Sequence, residues 1–329
     1  MYQYSSLEEW RDAIVGGNRV ALARAITLVE STKEELLETA SKLLKLCASH
    51  VGESQRIGIT GVPGVGKSTF IDAFGSKLTE SGRKVAVLAV DPSSDISHGS
   101  ILGDKTRMEK LSADPNAFIR PTATSGSLGG VARKTRETIS LCEAAGFDTI
   151  LIETVGVGQS ETAVHSMVDM FVLLVLATAG DELQGIKRGI MEMADLVIIN
   201  KDDGENASYT KLAKASYHQA LHMFPAKESD WTVPVHSCSS TKGNGMDDIL
   251  KTVNSFFNHV KVNGWLEKNR SEQNNYWLKA AISEELNHRF YSDSSTSKRL
   301  EKLQSEVKSG KISPFAAARV LLKNWGYSN

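Results

Sequence analysis

The chain has 329 residues, of which 41% are hydrophobic, and its formal net charge at pH 7 is −1. This length suits one large domain with extensions or two domains, and the near-zero charge points to neither nucleic acid nor an anionic membrane as a partner. No apolar run is long enough to span a bilayer, and the N-terminal residues lack the basic and apolar regions of a signal peptide.

Cysteine and histidine usage limits the metal and redox chemistry that the sequence supports. Cys47, Cys142 and Cys238 lie far apart and form no C-x-x-C pair, so we expect neither a disulfide framework nor a cysteine metal site. The eight histidines show no cluster with ligand spacing. Scattered cysteines of this kind fit a reducing cytoplasm, which is the predicted location.

Residues 1–52 are predicted to form an N-terminal helical extension, because their apolar positions recur at helical spacing. The spacing is carried by Leu7, Trp10, Ile14, Leu22, Ile26 and Leu28.

Residues 53–260 alternate short apolar runs with helical patterns, which predicts an α/β domain with a mostly parallel sheet. The runs span 56–60, 84–90, 117–120, 148–153, 170–177, 195–199 and 232–236. Ligands of such sheets bind at the carboxyl ends of the strands. We therefore expect the functional residues directly after these runs.

Residues 261–329 are again helical in pattern and more polar, with a polar break predicted over 292–297. Ser313 and Pro314 have the chemistry of a helix N-cap and first turn, which predicts a last helix through Leu322. This region is too small for a core of its own. We expect it to pack on the main domain or on a second copy of the chain.

A glycine-rich motif follows the first apolar run of the middle region. It fits the P-loop pattern G-x-x-x-x-G-K-[ST], in which the glycines let successive backbone N–H groups surround a phosphate. Lys67 is predicted to bind the β- and γ-phosphates, and the Ser68 hydroxyl to complete a Mg²⁺ shell. The predicted phosphate-binding residues are Gly61, Val62, Pro63, Gly64, Val65, Gly66, Lys67, Ser68 and Thr69.

An N-K-x-D motif at 200–203 follows the run 195–199 and is typical of guanine-binding proteins. Its last carboxylate can accept hydrogen bonds from N1–H and the exocyclic amine of guanine, whereas adenine offers neither donor there, so GTP and GDP are favoured over ATP. The lysine can cover the base and the asparagine can tie this loop to the P-loop. A serine-rich loop after the next run resembles the loop whose backbone contacts guanine O6. The base-binding candidates are Asn200, Lys201, Asp203, Ser239 and Ser240.

Three acidic residues are candidates for organising Mg²⁺. The segment Glu153-Thr154-Val155-Gly156 stands in the place of a D-x-x-G motif, whose glycine N–H senses the γ-phosphate. Because Mg²⁺ takes only one or two carboxylates beside phosphates and water, not all three acids can be direct ligands. The predicted metal ligands are Ser68, Asp91, Asp104 and Glu153, and the predicted catalytic residues are Lys67, Asp91, Asp104, Glu153 and Gly156.

The residue after this motif bears on the rate of hydrolysis. Ras-like proteins place a glutamine there, whereas this chain has Val157, and the first glutamine after the motif is Gln159. Phosphoryl transfer to water requires a positioned water and charge neutralisation. We therefore expect slow intrinsic GTP hydrolysis that a partner or a moving loop accelerates.

Longer strings around these motifs resemble the MeaB/ArgK family of P-loop GTPases, which also includes the MMAA proteins. The resemblance extends from about residue 16 to residue 322. It is carried by the segments 90–94, 99–108, 118–121, 126–130, 153–161 and 180–189.

The resemblance implies a fold akin to the signal-recognition and MinD-like (SIMIBI-type) P-loop proteins, with helical extensions at both ends. It implies a homodimer held through the C-terminal helices. It further implies a GTP-dependent chaperone that gates adenosylcobalamin loading and protects a cobalamin-dependent mutase, usually methylmalonyl-CoA mutase. Segment 180–189 corresponds to a mobile loop called switch III, which makes Gln184, Lys187 and Arg188 the candidate residues for coupling to the partner.

Two other functions are compatible with a P-loop protein of this kind. A nickel-insertion GTPase metallochaperone shares the fold, but such proteins usually carry His-rich tracts or Cys/His clusters. An ATP-dependent protein kinase linked to amino-acid transport matches the older naming of some family members, but the N-K-x-D motif argues against ATP.

Overall fold

The computed structural model of the chain describes residues 4–31, 33–90, 108–121, 128–154, 160–177, 188–204, 207–323 and 325. The chain forms two compact units, Met1–Gln273 and Asn274–Asn329. Among the described helices, none is long and apolar enough to cross a membrane.

The first unit is built on a seven-stranded sheet whose described strand pairs are all parallel. Its spatial order is β3-β2-β4-β1-β5-β6-β7. The strands are β1 (Gln55–Gly61), β2 (Val85–Val90), β3 (Ala117–Pro121), β4 (Thr149–Thr154), β5 (Met170–Leu176), β6 (Leu196–Asn200) and β7 (Val235–Ser237). The predicted α/β fold is therefore confirmed. The last strand was expected over 232–236 but begins only at Val235 and ends at Ser237.

Helices occupy most of the remaining chain. The first unit contains α1 (Leu7–Val15), α2 (Arg19–Glu30), α3 (Glu34–Cys47), α4 (Lys67–Glu80), α5 (Glu109–Ala113), α6 (Leu128–Ala144), α7 (Ser160–His165), α8 (Arg188–Met193), α9 (Ala207–Leu221) and α10 (Met246–Val262). A 3₁₀ turn spans Ala48–His50. Helix α11 (Trp265–Ser292) contains the boundary between the units, and α12 (Ser294–Lys308) and α13 (Pro314–Lys323) lie in the second unit.

The sheet is covered on both faces, because successive residues of a strand enter different hydrophobic clusters. Val172 and Leu174 of β5 belong to the cluster that contains Phe70 and Phe74 of α4. Leu173 and Val175 belong to the cluster that contains Tyr217 of α9. Since side chains alternate between the faces of a strand, the two clusters lie on opposite faces of the sheet. This burial on both faces explains why the strands read as continuous apolar runs.

Three aspartates fix the amino ends of adjacent strands. Each donates its own N–H to the carbonyl of a residue at the start of the neighbouring strand, and its carboxylate accepts the N–H of that same residue. The pairs are Asp148 with Lys84, Asp169 with Arg56, and Asp195 with Phe171, with N···O distances between 2.7 and 3.1 Å. Each reciprocal pair holds two parallel strands in register at the edge where β1, β2 and β5 begin.

A buried ion pair adds to this edge. Arg270 of α11 donates to both carboxylate oxygens of Asp169, at 2.8 and 2.7 Å, and to the Ser54 carbonyl at 2.5 Å. The Asp169 side chain is completely buried. Next to it, Arg56 makes a two-pronged ion pair with the buried Glu143, at 2.7 and 3.0 Å. These contacts join the first turns of α11 to the sheet.

The second unit corrects one prediction and confirms another. The expected polar break at 292–297 is instead a helix start, because only Asp293 separates α11 from α12. Hydrogen bonds from Ser295 and Thr296 lower the pKa of the Asp293 carboxyl to about 2, and this carboxylate caps the Thr296 N–H at 2.8 Å. The predicted Ser313 cap is confirmed: its hydroxyl accepts the Ala316 N–H at 3.2 Å.

We expect Asp169→Asn to lower the free energy of unfolding by about 3 kcal/mol, because it leaves the Arg270 guanidinium without its buried partner. Urea unfolding followed by circular dichroism measures this. Glu53→Gln is the matched control, since it removes an ion pair with Lys261 that is exposed on both sides. Equal, small effects of the two substitutions would contradict a structural role for the buried pair.

Candidate functional site

The P-loop lies between the end of β1 and the start of α4, as its motif requires. Gly66 is the N-cap of α4 with φ +95°, a left-handed conformation that favours glycine. A Cβ on Gly66 would lie 2.8 Å from the Asn200 side-chain nitrogen, and one on Gly61 would lie 2.4 Å from the Leu174 carbonyl oxygen. The two glycines therefore allow the loop to pass close to β5 and β6. The N-terminus of α4 is a suitable position for a phosphate.

The Lys67 side chain is held over this loop by backbone carbonyls of the loop itself. Its ammonium donates to the carbonyls of Gly61 at 2.9 Å and Val62 at 3.3 Å, and only 8% of the residue is exposed. Burial lowers the pKa of this ammonium, while the carboxylates of Glu153 and Glu161 act in the opposite direction. The positive charge is thus positioned beside the loop by fixed acceptors, and its exclusion from solvent strengthens its attraction for a phosphate.

Ser68 and Glu153 form the metal corner of the site. The Ser68 hydroxyl donates to the Glu153 carboxylate at 3.0 Å, which brings together the first turn of α4 and the carboxyl end of β4. One residue further, Thr154 donates to Thr60 of β1 at 2.9 Å. A hydroxyl and a carboxylate are hard oxygen donors, and Mg²⁺ prefers such donors together with water and phosphate. The described residues therefore fit Mg²⁺.

Asn200 connects the guanine motif to the P-loop. Its side-chain nitrogen donates to the Val65 carbonyl at 2.9 Å. Its side-chain oxygen accepts the hydroxyl of Ser240 at 2.7 Å and the backbone N–H of the same residue at 3.3 Å. Cys238 approaches the same oxygen with its thiol at 3.5 Å. One buried amide thus joins three segments: the P-loop, the end of β6 and the loop after β7.

The remaining residues of the guanine motif are oriented by the same loops. Lys201 adopts φ +61° and donates its ammonium to the Gly64 carbonyl at 2.9 Å. Asp203 accepts the hydroxyl of Ser239 and, at 3.2 Å, that of Thr241. The Ser239 hydrogen bond in particular lowers the pKa of the Asp203 carboxyl, which keeps it ionised as an acceptor for guanine donors.

The structure therefore brings together the P-loop residues, Glu153 and the base-binding candidates. Thr241, whose hydroxyl donates to Asp203, was not among the candidates. The signal that could have found it is its place in the serine-rich loop, where a hydroxyl can donate to the carboxylate of the guanine motif. Helix α8 begins at Arg188. Five predicted residues lie outside the described residues, namely Asp91, Asp104, Gly156, Gln184 and Lys187.

A parallel sheet with a P-loop after β1 and an N-K-x-D loop after β6 defines a guanine-specific P-loop NTPase. Over residues 22–295 the sequence matches the family model described as methylmalonyl-CoA mutase-associated GTPase MeaB. The chain belongs to this family and is a GTPase, which confirms the resemblance found in its motifs.

Individual relatives are similar over nearly the whole chain. GTPase ArgK of Escherichia coli is 44% identical over 93% of this chain and 92% of its own. The mitochondrial methylmalonic aciduria type A homologue of Mus musculus is 47% identical over 94% of this chain and 77% of its own. The crystal structure of a protein named LAO/AO transport system kinase superposes with a TM-score of 0.77, at 37% identity and 98% coverage of both chains.

We expect Asp203→Asn to weaken GTP binding roughly ten- to hundredfold, because guanine loses an ionised acceptor that faces two donors. Xanthosine triphosphate, which presents an acceptor in place of the amine, should regain affinity. Fluorescence titration with both nucleotides measures the exchange of specificity. Asp202→Asn, one residue earlier, is the control and should change neither affinity. Unchanged GTP affinity in Asp203→Asn would overturn the base assignment.

Proposed function

We propose that this GTPase gates adenosylcobalamin loading and protects a cobalamin-dependent acyl-CoA mutase of the methylmalonyl-CoA mutase type. The match to the mutase-associated GTPase family over residues 22–295 carries this proposal. The name of the mouse relative, which refers to methylmalonic aciduria, supports the same client. A cytoplasmic location is part of the proposal, and the buried thiols of Cys47, Cys142 and Cys238 suit such a reducing setting.

GTP and GDP are the proposed ligands, with Mg²⁺ as the cofactor. Ser68 and Glu153 would hold the ion, with Asp91 and Asp104 as further candidates outside the described residues. The ion would neutralise charge that develops on the phosphates. Lys67 would bind the β- and γ-phosphates, and Gly156 would sense the γ-phosphate.

The contacts that Asn200 makes serve nucleotide binding. Asn200 holds the base loop and the P-loop at a fixed separation, so a nucleotide bound to both would be recognised at its two ends. Such contacts hold the ground state and the transition state alike, and uniform binding of this kind does not raise the rate of the chemical step. Slow basal hydrolysis that depends on a partner is supported by Val157, which follows Gly156 where Ras-like proteins carry a glutamine.

Coupling to the partner is proposed to pass through Gln184, Lys187 and Arg188. Of these, Arg188 lies in the described residues, at the first position of α8. Its guanidinium lies over the ring of Phe224, with 5.6 Å between the central carbon and the ring centroid. A cation at a helix N-terminus is disfavoured by the helix dipole, and the aromatic face offsets part of that cost. Phe224 would thus position a charged side chain at the end of the segment that we propose as switch III.

We expect the purified mutase of the same organism to accelerate GTP turnover by this protein, measured as phosphate release with the mutase absent and present. ATP serves as the nucleotide control. Turnover of GTP that the mutase leaves unchanged would contradict the proposed client while retaining the GTPase. Turnover of ATP with formation of a phosphoprotein would instead favour a kinase function, as in the name of the structural relative LAO/AO transport system kinase.

The same assay tests the coupling residues. Arg188→Gln and Phe224→Leu should each retain basal turnover and reduce the acceleration by the mutase. Phe224→Tyr should retain the full acceleration, because the aromatic face beneath Arg188 remains. Combined with Arg188→Gln, Phe224→Leu should have little further effect, since the two residues act through one contact. Full acceleration in Arg188→Gln would overturn its role.

A homodimer formed by the second unit is also proposed. Leu278, Ile282 and Leu286 lie four residues apart on α11 and are between 48 and 60% exposed. Within the same unit, the C-terminal half of α11 together with α12 and α13 lines a cavity of about 730 Å³, to which Phe290 and Leu321 contribute. An apolar helix stripe of this kind is typical of a surface that a second helix covers.

We expect the protein to be a dimer by light scattering after size-exclusion chromatography. The double substitution Ile282→Glu with Leu286→Glu should yield a monomer, because two charges would then face the interface. Lys279→Glu changes the charge on the same helix outside the stripe and should leave the dimer intact. A wild-type monomer at concentrations near 100 µM, well above the about 1 µM dissociation constant of a moderate interface, would contradict the proposal.

A further inference from the structure

Two histidines stand together at the carboxyl end of α9. His218 and His222 are four residues apart, and their ring centroids lie 4.7 Å from each other. Both residues are exposed or half-exposed. The sequence predicts no histidine cluster with ligand spacing, and the described residues contain no group of three or more metal-ligating side chains. A pair is nevertheless present: His222 directly follows the last residue of α9, and its N–H donates to the His218 carbonyl at 3.2 Å, which continues the helical turn and places the two side chains on one face.

The separation of the rings suits chelation of one metal ion. A metal–nitrogen bond of about 2.1 Å places the ion about 3.2 Å from each ring centroid. Two such rings at a metal angle near 90° would then have centroids about 4.6 Å apart, so the observed centroid separation of 4.7 Å allows both rings to reach one ion. An angle near 90° between neighbouring ligands is that of the octahedral and square-planar geometries of Ni²⁺ and Cu²⁺.

The surroundings of the pair also suit a cation. His218 and His222 line a cavity of about 380 Å³ together with the acidic residues Glu192 and Asp230. Lys227 lines it as well, but its ammonium donates to the Met193 carbonyl at 2.9 Å and pairs with Asp195 at 3.2 Å. The last turn of a helix carries a partial negative charge that favours cations.

We propose that His218 and His222 chelate a divalent transition-metal ion of the Ni²⁺ or Cu²⁺ class, with water in the remaining positions. Imidazole nitrogen binds these ions in preference to Mg²⁺, which prefers oxygen ligands. The histidine site is therefore distinct in chemistry from the site at Ser68 and Glu153. Bound metal would link two successive turns at the end of α9. Because the ion binds the folded helix, it would stabilise the protein in proportion to its occupancy.

The test uses the full chain without a histidine tag, with GDP and excess Mg²⁺ present so that the nucleotide site is filled. Isothermal titration with NiCl₂ should give one site per chain. His218→Gln and His222→Gln should each weaken it roughly tenfold or more, since either substitution removes half of the chelate. His288→Gln removes an exposed histidine that has no histidine neighbour on its helix and should change nothing.

Thermal unfolding supplies a second measurement. Ni²⁺ should raise the midpoint of the wild type and of His288→Gln, and should raise that of His218→Gln and His222→Gln clearly less at the same Ni²⁺ concentration. Both substitutions replace exposed side chains, so their metal-free midpoints should equal that of the wild type. Absence of Ni²⁺ and Cu²⁺ binding, or binding that persists in both single variants, would overturn the proposal.

Discussion

The buried amide of Asn200 is the contact on which the geometry of the nucleotide site depends. It donates to the P-loop at Val65 and accepts from Ser240, so the loops at two ends of the site share one residue that is 1% exposed. A buried amide that loses a partner costs about 1–3 kcal/mol, which makes any other arrangement of these loops unfavourable. The buried Asn200 side chain therefore fixes the separation between base and phosphate recognition, and Lys201 adds an exposed contact between the same two loops.

The opposite edge of the sheet holds the strands together without taking part in this site. At that edge, Asp148, Asp169 and Asp195 bind the starts of neighbouring strands, and the Asp169–Arg270 pair adds α11. Buried carboxylates are tolerated there because backbone N–H groups or arginines satisfy them. Stability at the amino ends leaves the carboxyl ends free to carry loops whose glycines and charged side chains serve nucleotide binding.

The fold was predictable from the sequence because strands buried on both faces must be apolar throughout, and the P-loop and guanine motifs mark their carboxyl ends. The aspartate pairs could not be predicted from the sequence, because their partners depend on strand order. That order places Asp169 beside Arg56 although more than a hundred residues of sequence separate them. The prediction of a polar break over 292–297 was wrong for a different reason. Serine and threonine suit both a loop and a helix start, and only the contacts of Asp293 decide between them.

Helix α9 offers a physical route between base recognition and the proposed coupling residue. It begins shortly after the guanine motif, which Asn200 and Lys201 attach to the P-loop, and it ends three residues before Phe224, the ring beneath Arg188. A rigid helix with one end near the guanine motif and the other near Phe224 would transmit a displacement of the base loop to the ring that contacts Arg188. Spatial continuity alone does not demonstrate energetic coupling. Non-additivity between Phe224 and Arg188 in the mutase-dependent rate is therefore the quantity that separates a coupled element from two independent surface contacts.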